Sequence, residues 1–166
     1  MKTLVQNAMK GDHLSIARLI SVVERGGPDA NKVMLLIKKK TRKAHIIGVT
    51  GVAGGGKSTL IGSITHEFRK KNKKVGIIAI DPTSPFSGGA LLGDRVRMTE
   101  FTGDDGVFIR SMATHGTKGG LAWGLSDVIW ILDVCFADIV IIETVGVGQD
   151  EIDIVIDKLE KIIKKV

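Results

Sequence analysis

The sequence predicts an α/β fold in which a mainly parallel sheet lies between two layers of helices. Four short apolar runs, separated by segments of helical period, begin at residues 45, 75, 107 and 138. Runs that are apolar throughout are typical of strands buried on both faces, as in a parallel sheet covered by helices. The 21 glycines among 166 residues exceed the usual share of about 7% and indicate several glycine-rich loops.

Residues 1–43 are predicted to form a helical prefix. Asp12 is placed to cap a helix with an apolar stripe that reaches Val23, and Gly26-Gly27-Pro28 is predicted to end that helix. A second helix is expected over about residues 30–40. No chemistry is predicted here, and packing against the main domain is favoured over a docking surface for a partner.

The remaining elements follow in a βαβ order. Strands are predicted over 45–50, 75–80, 107–112 and 138–144, and helices over 57–71, 123–136 and 150–166. The last helix has its acids at the start and its lysines at the end, as the helix dipole prefers. We therefore divide the chain into a prefix (1–43), a core (44–149) and a C-terminal amphipathic helix (150–166).

Charge and composition exclude several classes of protein. The formal net charge is +6, but the basic clusters at 38–43, 69–74 and 161–165 fall at predicted helix ends. Cations at helix C-termini stabilise the helix dipole, so these positions account for the basic residues without nucleic acid. Nucleic-acid binding is therefore disfavoured. No run of 18 apolar residues and no signal peptide is seen, so neither a membrane span nor export is expected. Cys135 is the single cysteine, consistent with a reducing cytoplasm.

A phosphate-binding loop is the strongest motif. Residues 51–58, GVAGGGKS, match G-x-x-x-x-G-K-[ST] at every fixed position, between a predicted strand and a predicted helix. Glycines allow the backbone to wrap phosphate oxygens, the lysine reaches the β- and γ-phosphates, and the serine hydroxyl binds Mg²⁺. The predicted nucleotide-binding residues of this segment are Gly51, Gly54, Gly55, Gly56, Lys57, Ser58 and Thr59. The motif alone does not choose between ATP and GTP.

Acidic residues stand near the predicted carboxyl edge of the sheet. Asp81 and Glu143 end apolar runs, where an open α/β sheet binds its ligand. Asp81 is a candidate Mg²⁺ group or a turn cap. Glu143 is a candidate for holding Mg²⁺ through water, for orienting a nucleophilic water, or for a structural role. Asp94 follows a glycine-rich segment, and its spacing fits a helix cap and a Mg²⁺ group equally well.

Residues 144–149 follow the last predicted strand of the core. Gly146 is a candidate for placing a backbone amide against a γ-phosphate. Gln149 fits the start of a helix better than a water-positioning role.

Four segments resemble the MeaB/ArgK family of P-loop GTPases: VTGVAGGGKSTLI, AIDPTSPFSGGALLGDRVRM, FIRSMATHGTKGGLA and VIIETVGVGQDE. The resemblance covers about residues 1–153. It implies a three-layer P-loop NTPase fold, GTP binding and slow hydrolysis to GDP, and a chaperone role for an adenosylcobalamin-dependent methylmalonyl-CoA-type mutase. It also implies that Lys57, Asp94 and Glu143 serve catalysis and that Ser58, Asp81, Asp94 and Glu143 serve Mg²⁺.

The chain departs from the family pattern after residue 153. Family members continue with two more strands, an N-K-x-D guanine loop and a helical arm that forms homodimers, and no N-K-x-D occurs here. We therefore expect a truncated member with an incomplete sheet and no visible source of guanine selectivity. The alternatives are a non-catalytic phosphate-binding fragment or interaction module and, less favoured, an ATP-dependent kinase.

Overall fold

The computed structural model of the chain describes residues 1–40, 43–81, 99–113 and 124–144. The helices are α1 (Lys2–Ala8), α2 (His13–Arg25), α3 (Gly27–Ile37), α4 (Lys57–Lys70) and α5 (Leu125–Cys135), with a 3-10 turn at Thr99–Phe101. The strands are β1 (His45–Val49), β2 (Val75–Asp81), β3 (Val107–Ala113) and β4 (Ile139–Thr144). The predicted helix over 150–166 lies outside the described residues.

The four strands form one parallel sheet in the order β1-β4-β2-β3. β4 lies between β1 and β2, and all six of its residues are buried. Its register places Glu143 opposite Val49 on one side and Ala79 on the other. Because every strand runs the same way, all four carboxyl ends meet at one edge. The predicted α/β fold with a parallel sheet is confirmed.

Helices cover both faces of the sheet and create two apolar clusters. Side chains of a strand alternate between faces, so odd and even residues of β4 enter different clusters. The α4-side cluster includes Ile61, Ile77, Phe101, Ile139 and Ile141. The prefix-side cluster includes Leu19, Ile37, Ile129, Val140 and Ile142. The helical prefix and α5 therefore share one apolar core with the sheet.

In the prefix, the start of α2 agrees with the sequence prediction, but the start of α3 does not. The Asp12 carboxylate accepts a hydrogen bond from the Ser15 backbone N–H at 2.8 Å, which confirms the cap of α2. The prediction that α3 begins near residue 30 was wrong, because the helix already includes Gly27 and Pro28. Proline lacks an N–H and has a helical φ, so the first turn of a helix tolerates it. The break lies at Gly26 and Gly27, whose φ values are +71° and +84°.

Polar contacts fasten the prefix to the sheet. Arg110 of β3 pairs with Glu24 of α2, and its Nη2 lies 3.2 Å from the Ser21 hydroxyl. The Asp133 carboxylate of α5 accepts hydrogen bonds from the backbone N–H groups of Lys43 and Ala44 at 2.9 and 2.8 Å. These bonds fix the point where the chain enters β1. The division of the chain at residue 43 stays a prediction.

Basic residues lie at helix ends, where the sequence places them. Lys38 is the C-cap residue of α3 and pairs with Asp127 at 3.1 Å, and Arg69 and Lys70 lie in the last turn of α4. These positions match the stabilising effect of cations at helix C-termini. No helix in the described ranges is long and apolar enough to cross a membrane.

Arg69 and Asp104 form a bidentate ion pair, here called the Arg69–Asp104 fork, near the amino edge of the sheet. Arg69 donates through Nε and Nη2 to the two carboxylate oxygens of Asp104, both at 2.9 Å, and through Nη1 to the Lys73 carbonyl at 2.8 Å. Gly106 passes so close that a Cβ there would lie 1.9 Å from the guanidinium carbon. The hydrogen bonds from Arg69 lower the pKa of the Asp104 carboxyl below its ordinary value.

We predict that Asp104→Asn lowers the free energy of unfolding by roughly 1–2 kcal/mol at pH 7. This is less than a fully buried pair would contribute, because about a third of the Asp104 side chain is exposed to solvent. The carboxyl pKa is lowered by folding, so its contribution is present above the unfolded pKa of about 3.9 and is lost as pH falls through the folded pKa. Urea unfolding between pH 7 and pH 2 should show the wild-type advantage disappearing below about pH 4.

Glu67→Gln is the matched control for this prediction. Glu67 also pairs with a cation, Lys70, at 2.6 Å, but both side chains are largely exposed. Exposed pairs contribute little to stability, so this variant should unfold like the wild type throughout the range. An Asp104→Asn deficit that persists unchanged at pH 2 would contradict the assigned role of the carboxylate.

Candidate functional site

The backbone of the loop between β1 and α4 is compatible with the predicted phosphate-binding role. Gly54 and Gly56 have φ values of +75° and +76°, in the left-handed region that favours glycine. Nothing lies within 4 Å of a Cβ built at either position. Among the described residues, no side chain caps α4 at Gly56. The first backbone N–H groups of the helix are therefore available to an anion at its positive end.

The Lys57 side chain folds back onto the loop that precedes α4. Its Nζ donates to the carbonyl of Val52, five positions earlier in the chain, at 2.7 Å. A Cβ at Gly51 would contact Lys57 Cδ at 3.7 Å, so the start of the loop also lies against the lysine stem. The ammonium group is thus held beside the glycines that the motif reserves for phosphate.

Ser58 and Glu143 meet at the carboxyl edge of the sheet. The Ser58 hydroxyl donates to Glu143 Oε1 at 2.9 Å, and Glu143 is only 6% exposed. The serine comes from the first turn of α4 and the glutamate from the end of β4, 85 positions later. Hydroxyl and carboxylate oxygens are the ligands that Mg²⁺ prefers. The pair therefore fits a Mg²⁺ ion.

The other predicted site residues are placed unevenly. Asp81 ends β2 at the same edge as Glu143, and Thr59 lies exposed in the first turn of α4. Asp94, Gly146 and Gln149 lie outside the described residues. Within the described ranges, no three acidic, histidine or cysteine side chains form a group that could hold a metal. The full set of Mg²⁺ residues therefore stays a prediction.

Two threonines at this edge were missed by the sequence reasoning. The hydroxyls of Thr50 and Thr144 are buried, and neither has a hydrogen-bond partner among the described residues. Both residues directly follow strand positions that are paired with each other, Val49 and Glu143. A polar residue at the end of each apolar run was the available signal, but it carries meaning only once the strand order is known.

Comparison with protein families gives one match over most of the chain. Residues 16–164 match the family described as methylmalonyl-CoA mutase-associated GTPase MeaB. The match includes the phosphate loop and Glu143. It extends into the prefix as far as the first turn of α2.

Two relatives illustrate the similarity. A Pyrococcus abyssi protein named as a GTPase is 52% identical over 152 residues, which are 92% of this chain and 47% of the relative. The fused isobutyryl-CoA mutase of Cupriavidus metallidurans is 36% identical over 157 residues, which are 92% of this chain and 14% of that protein. The chain thus spans about half the length of the archaeal relative.

A solved structure shares the fold. The signal recognition particle receptor FtsY of Elizabethkingia anophelis, determined in complex with GDP, superimposes with a TM-score of 0.56 and 25% identity. The similarity covers 93% of this chain and 43% of FtsY.

We predict that Gly56→Val is less stable than Gly56→Asn by about 1–2 kcal/mol. The left-handed backbone at Gly56 is strained for a β-branched residue, whereas asparagine tolerates it. Space does not separate the two variants, because no atom lies within 4 Å of a Cβ at this position. Urea unfolding of both variants measures the difference, and equal stabilities would contradict the loop conformation.

Proposed function

The chain belongs to the family of methylmalonyl-CoA mutase-associated GTPases, and from this premise we propose that it binds GTP and hydrolyses it to GDP and phosphate. One observation carries the proposal: Lys57 lies within the loop and Ser58 contacts Glu143 at the carboxyl edge of the sheet. These groups suit a nucleotide's phosphates and their Mg²⁺ ion.

Phosphate binding would use the backbone and one cation. The N–H groups of the glycine-rich loop and the uncapped first turn of α4 donate to the phosphate oxygens. Lys57 exchanges the Val52 carbonyl for the β- and γ-phosphate oxygens. Because the lysine already lies in the loop, this exchange requires a short movement of its ammonium group.

Ser58 and Glu143 would hold the Mg²⁺ ion, and Asp81 and Asp94 are the further acidic groups that we assign to it. When bound, Mg²⁺ neutralises charge on the β- and γ-phosphates. We propose that Glu143, which is buried at the end of β4, also orients a water molecule. Gly146 is proposed to donate its backbone N–H to the γ-phosphate. Positioning and electrostatics supply most of the rate in such reactions.

The proposed partner is an adenosylcobalamin-dependent mutase of the methylmalonyl-CoA type. Support comes from the family description and from the relative in which a similar sequence is fused to isobutyryl-CoA mutase. We propose that the chain acts as an accessory chaperone of such a mutase and that its nucleotide state governs the association.

A phosphate-binding module without turnover is the second candidate. It is favoured by the lack of an N-K-x-D sequence in residues 1–166, because an aspartate in that position reads the guanine edge in the family this chain resembles. A module of this kind would bind GTP and ATP equally and would hydrolyse neither.

We predict that the wild type binds GTP more tightly with Mg²⁺ than without it and releases phosphate from it, and that Lys57→Ala weakens GTP binding by about 10–100-fold. The loss follows from charged hydrogen bonds of about 1.5–3 kcal/mol each. Calorimetric titrations with and without Mg²⁺ and a phosphate-release assay measure both parts. Lys70→Ala is the control, because Lys70 is exposed at the far end of α4 and pairs only with Glu67 among the described residues. Unchanged affinity in Lys57→Ala would refute the site.

We also predict that the chain co-elutes with an adenosylcobalamin-dependent methylmalonyl-CoA-type mutase in a nucleotide-dependent manner. Size-exclusion chromatography with GDP, with a non-hydrolysable GTP analogue and without nucleotide measures the association. At nucleotide concentrations that saturate the wild type but not the weaker-binding variant, Lys57→Ala should co-elute equally under all three conditions. Absence of co-elution in every nucleotide state would contradict the chaperone role.

A further inference from the structure

Two buried hydroxyls at the carboxyl edge of the sheet have no evident role in folding. The Oγ1 atoms of Thr50 and Thr144 are excluded from solvent and have no hydrogen-bond partner among the described residues. Leaving a buried polar group without a partner costs about 1–3 kcal/mol. Valine has nearly the same shape and carries no such cost. A threonine at both positions therefore indicates a state of the protein in which the hydroxyls are bonded.

The strand register brings the two threonines together. Val49 of β1 and Glu143 of β4 are partners in adjacent parallel strands, and each threonine is the next residue of its own chain segment. Neighbouring strands lie about 4.8 Å apart. At that separation, threonine hydroxyls on neighbouring strands can hydrogen-bond to each other.

The threonine pair lies behind the predicted nucleotide site. Glu143 contacts Ser58 of α4, so it lies on the α4 face of β4. Side chains alternate along a strand, which places Thr144 on the opposite face, in line with Val140 and Ile142 of the prefix-side cluster. The hydroxyls therefore do not compete with Ser58 or Lys57 for phosphate or metal. They connect the backbone segments that carry those groups.

We propose that Thr50 and Thr144 are positioning residues of the nucleotide site, joined by a hydroxyl–hydroxyl hydrogen bond when nucleotide is bound. The inference rests on the proposed nucleotide binding. Phosphate fixes the loop that begins at Gly51, and the Ser58–Glu143 pair fixes the end of β4. Because the bond forms only in the bound state, its energy adds to nucleotide affinity.

The test compares Thr50→Val, Thr144→Val and the double variant with a matched control, Thr65→Val. Thr65 also has a buried hydroxyl without a partner among the described residues, but it lies about two turns beyond the loop on α4. Each single valine variant should raise the melting temperature of the nucleotide-free protein by about 2–4 °C, since an unsatisfied hydroxyl is removed. Calorimetry with GDP, and with GTP and Mg²⁺, then measures affinity.

Thr50→Val and Thr144→Val should each weaken nucleotide binding roughly three- to tenfold, and Thr65→Val should leave it unchanged. The double variant should bind like either single variant, because each substitution removes the same bond. Thr50→Ser and Thr144→Ser keep the hydroxyl and should bind within about twofold of the wild type. The pattern of higher stability with lower affinity distinguishes positioning from a structural role.

Four outcomes overturn the inference. Wild-type affinity in Thr50→Val and Thr144→Val refutes it while leaving the proposed function intact. Losses that add in the double variant show that the two hydroxyls act separately. Valine variants that melt lower or fail to fold, while the serine variants fold, show that the hydroxyls serve folding. A wild type that binds no nucleotide removes the proposed function and the inference together, and that result is recognised before any variant is measured.

Discussion

The parallel register of β4 between β1 and β2 is the constraint on which the site depends. It places Glu143 level with Val49, the last residue before the loop region. Because α4 starts at the end of that loop, Ser58 then lies within hydrogen-bond distance of the glutamate. A slip of one residue would turn Glu143 away from α4 and towards the prefix-side cluster. The register is fixed by burial, since every residue of β4 is inside the core.

Stability and chemistry are separated along the sheet. The strands bury apolar side chains on both faces, and α5 approaches closely because Gly76 has no side chain to meet Leu132, whose Cδ1 lies 3.1 Å from a Cβ built there. The Arg69–Asp104 fork closes the amino edge. The described polar groups of the site lie at the carboxyl edge, where loops of a parallel sheet carry function. Substitutions in the loop can therefore alter binding while the core stays packed.

The sequence predicted local features better than long-range ones. Continuous apolar runs predicted all four strands, and the motif predicted the loop before α4, because both signals are contained in short segments. The strand order, the contact of Lys57 with Val52 and the adjacency of Thr50 and Thr144 depend on residues far apart in the chain or on loop geometry. The predicted start of α3, near residue 30, is later than the observed start at Gly27. Gly27-Pro28 signals a helix boundary, but the pair can either end one helix or begin the next. Asp81, Asp94 and Gly146 stay predictions.

The described geometry also explains how a loop of this kind can bind strongly. Lys57 already donates a hydrogen bond to the Val52 carbonyl, and Ser58 already donates one to Glu143. Binding would exchange these hydrogen bonds for bonds to phosphate and metal, so each exchange yields only the difference between two favourable contacts. Preorganisation offsets this limit, because little side-chain entropy is lost on binding. A hydroxyl that is unsatisfied before binding gains the whole bond, which is why two threonines outside the motif can contribute to the proposed nucleotide affinity.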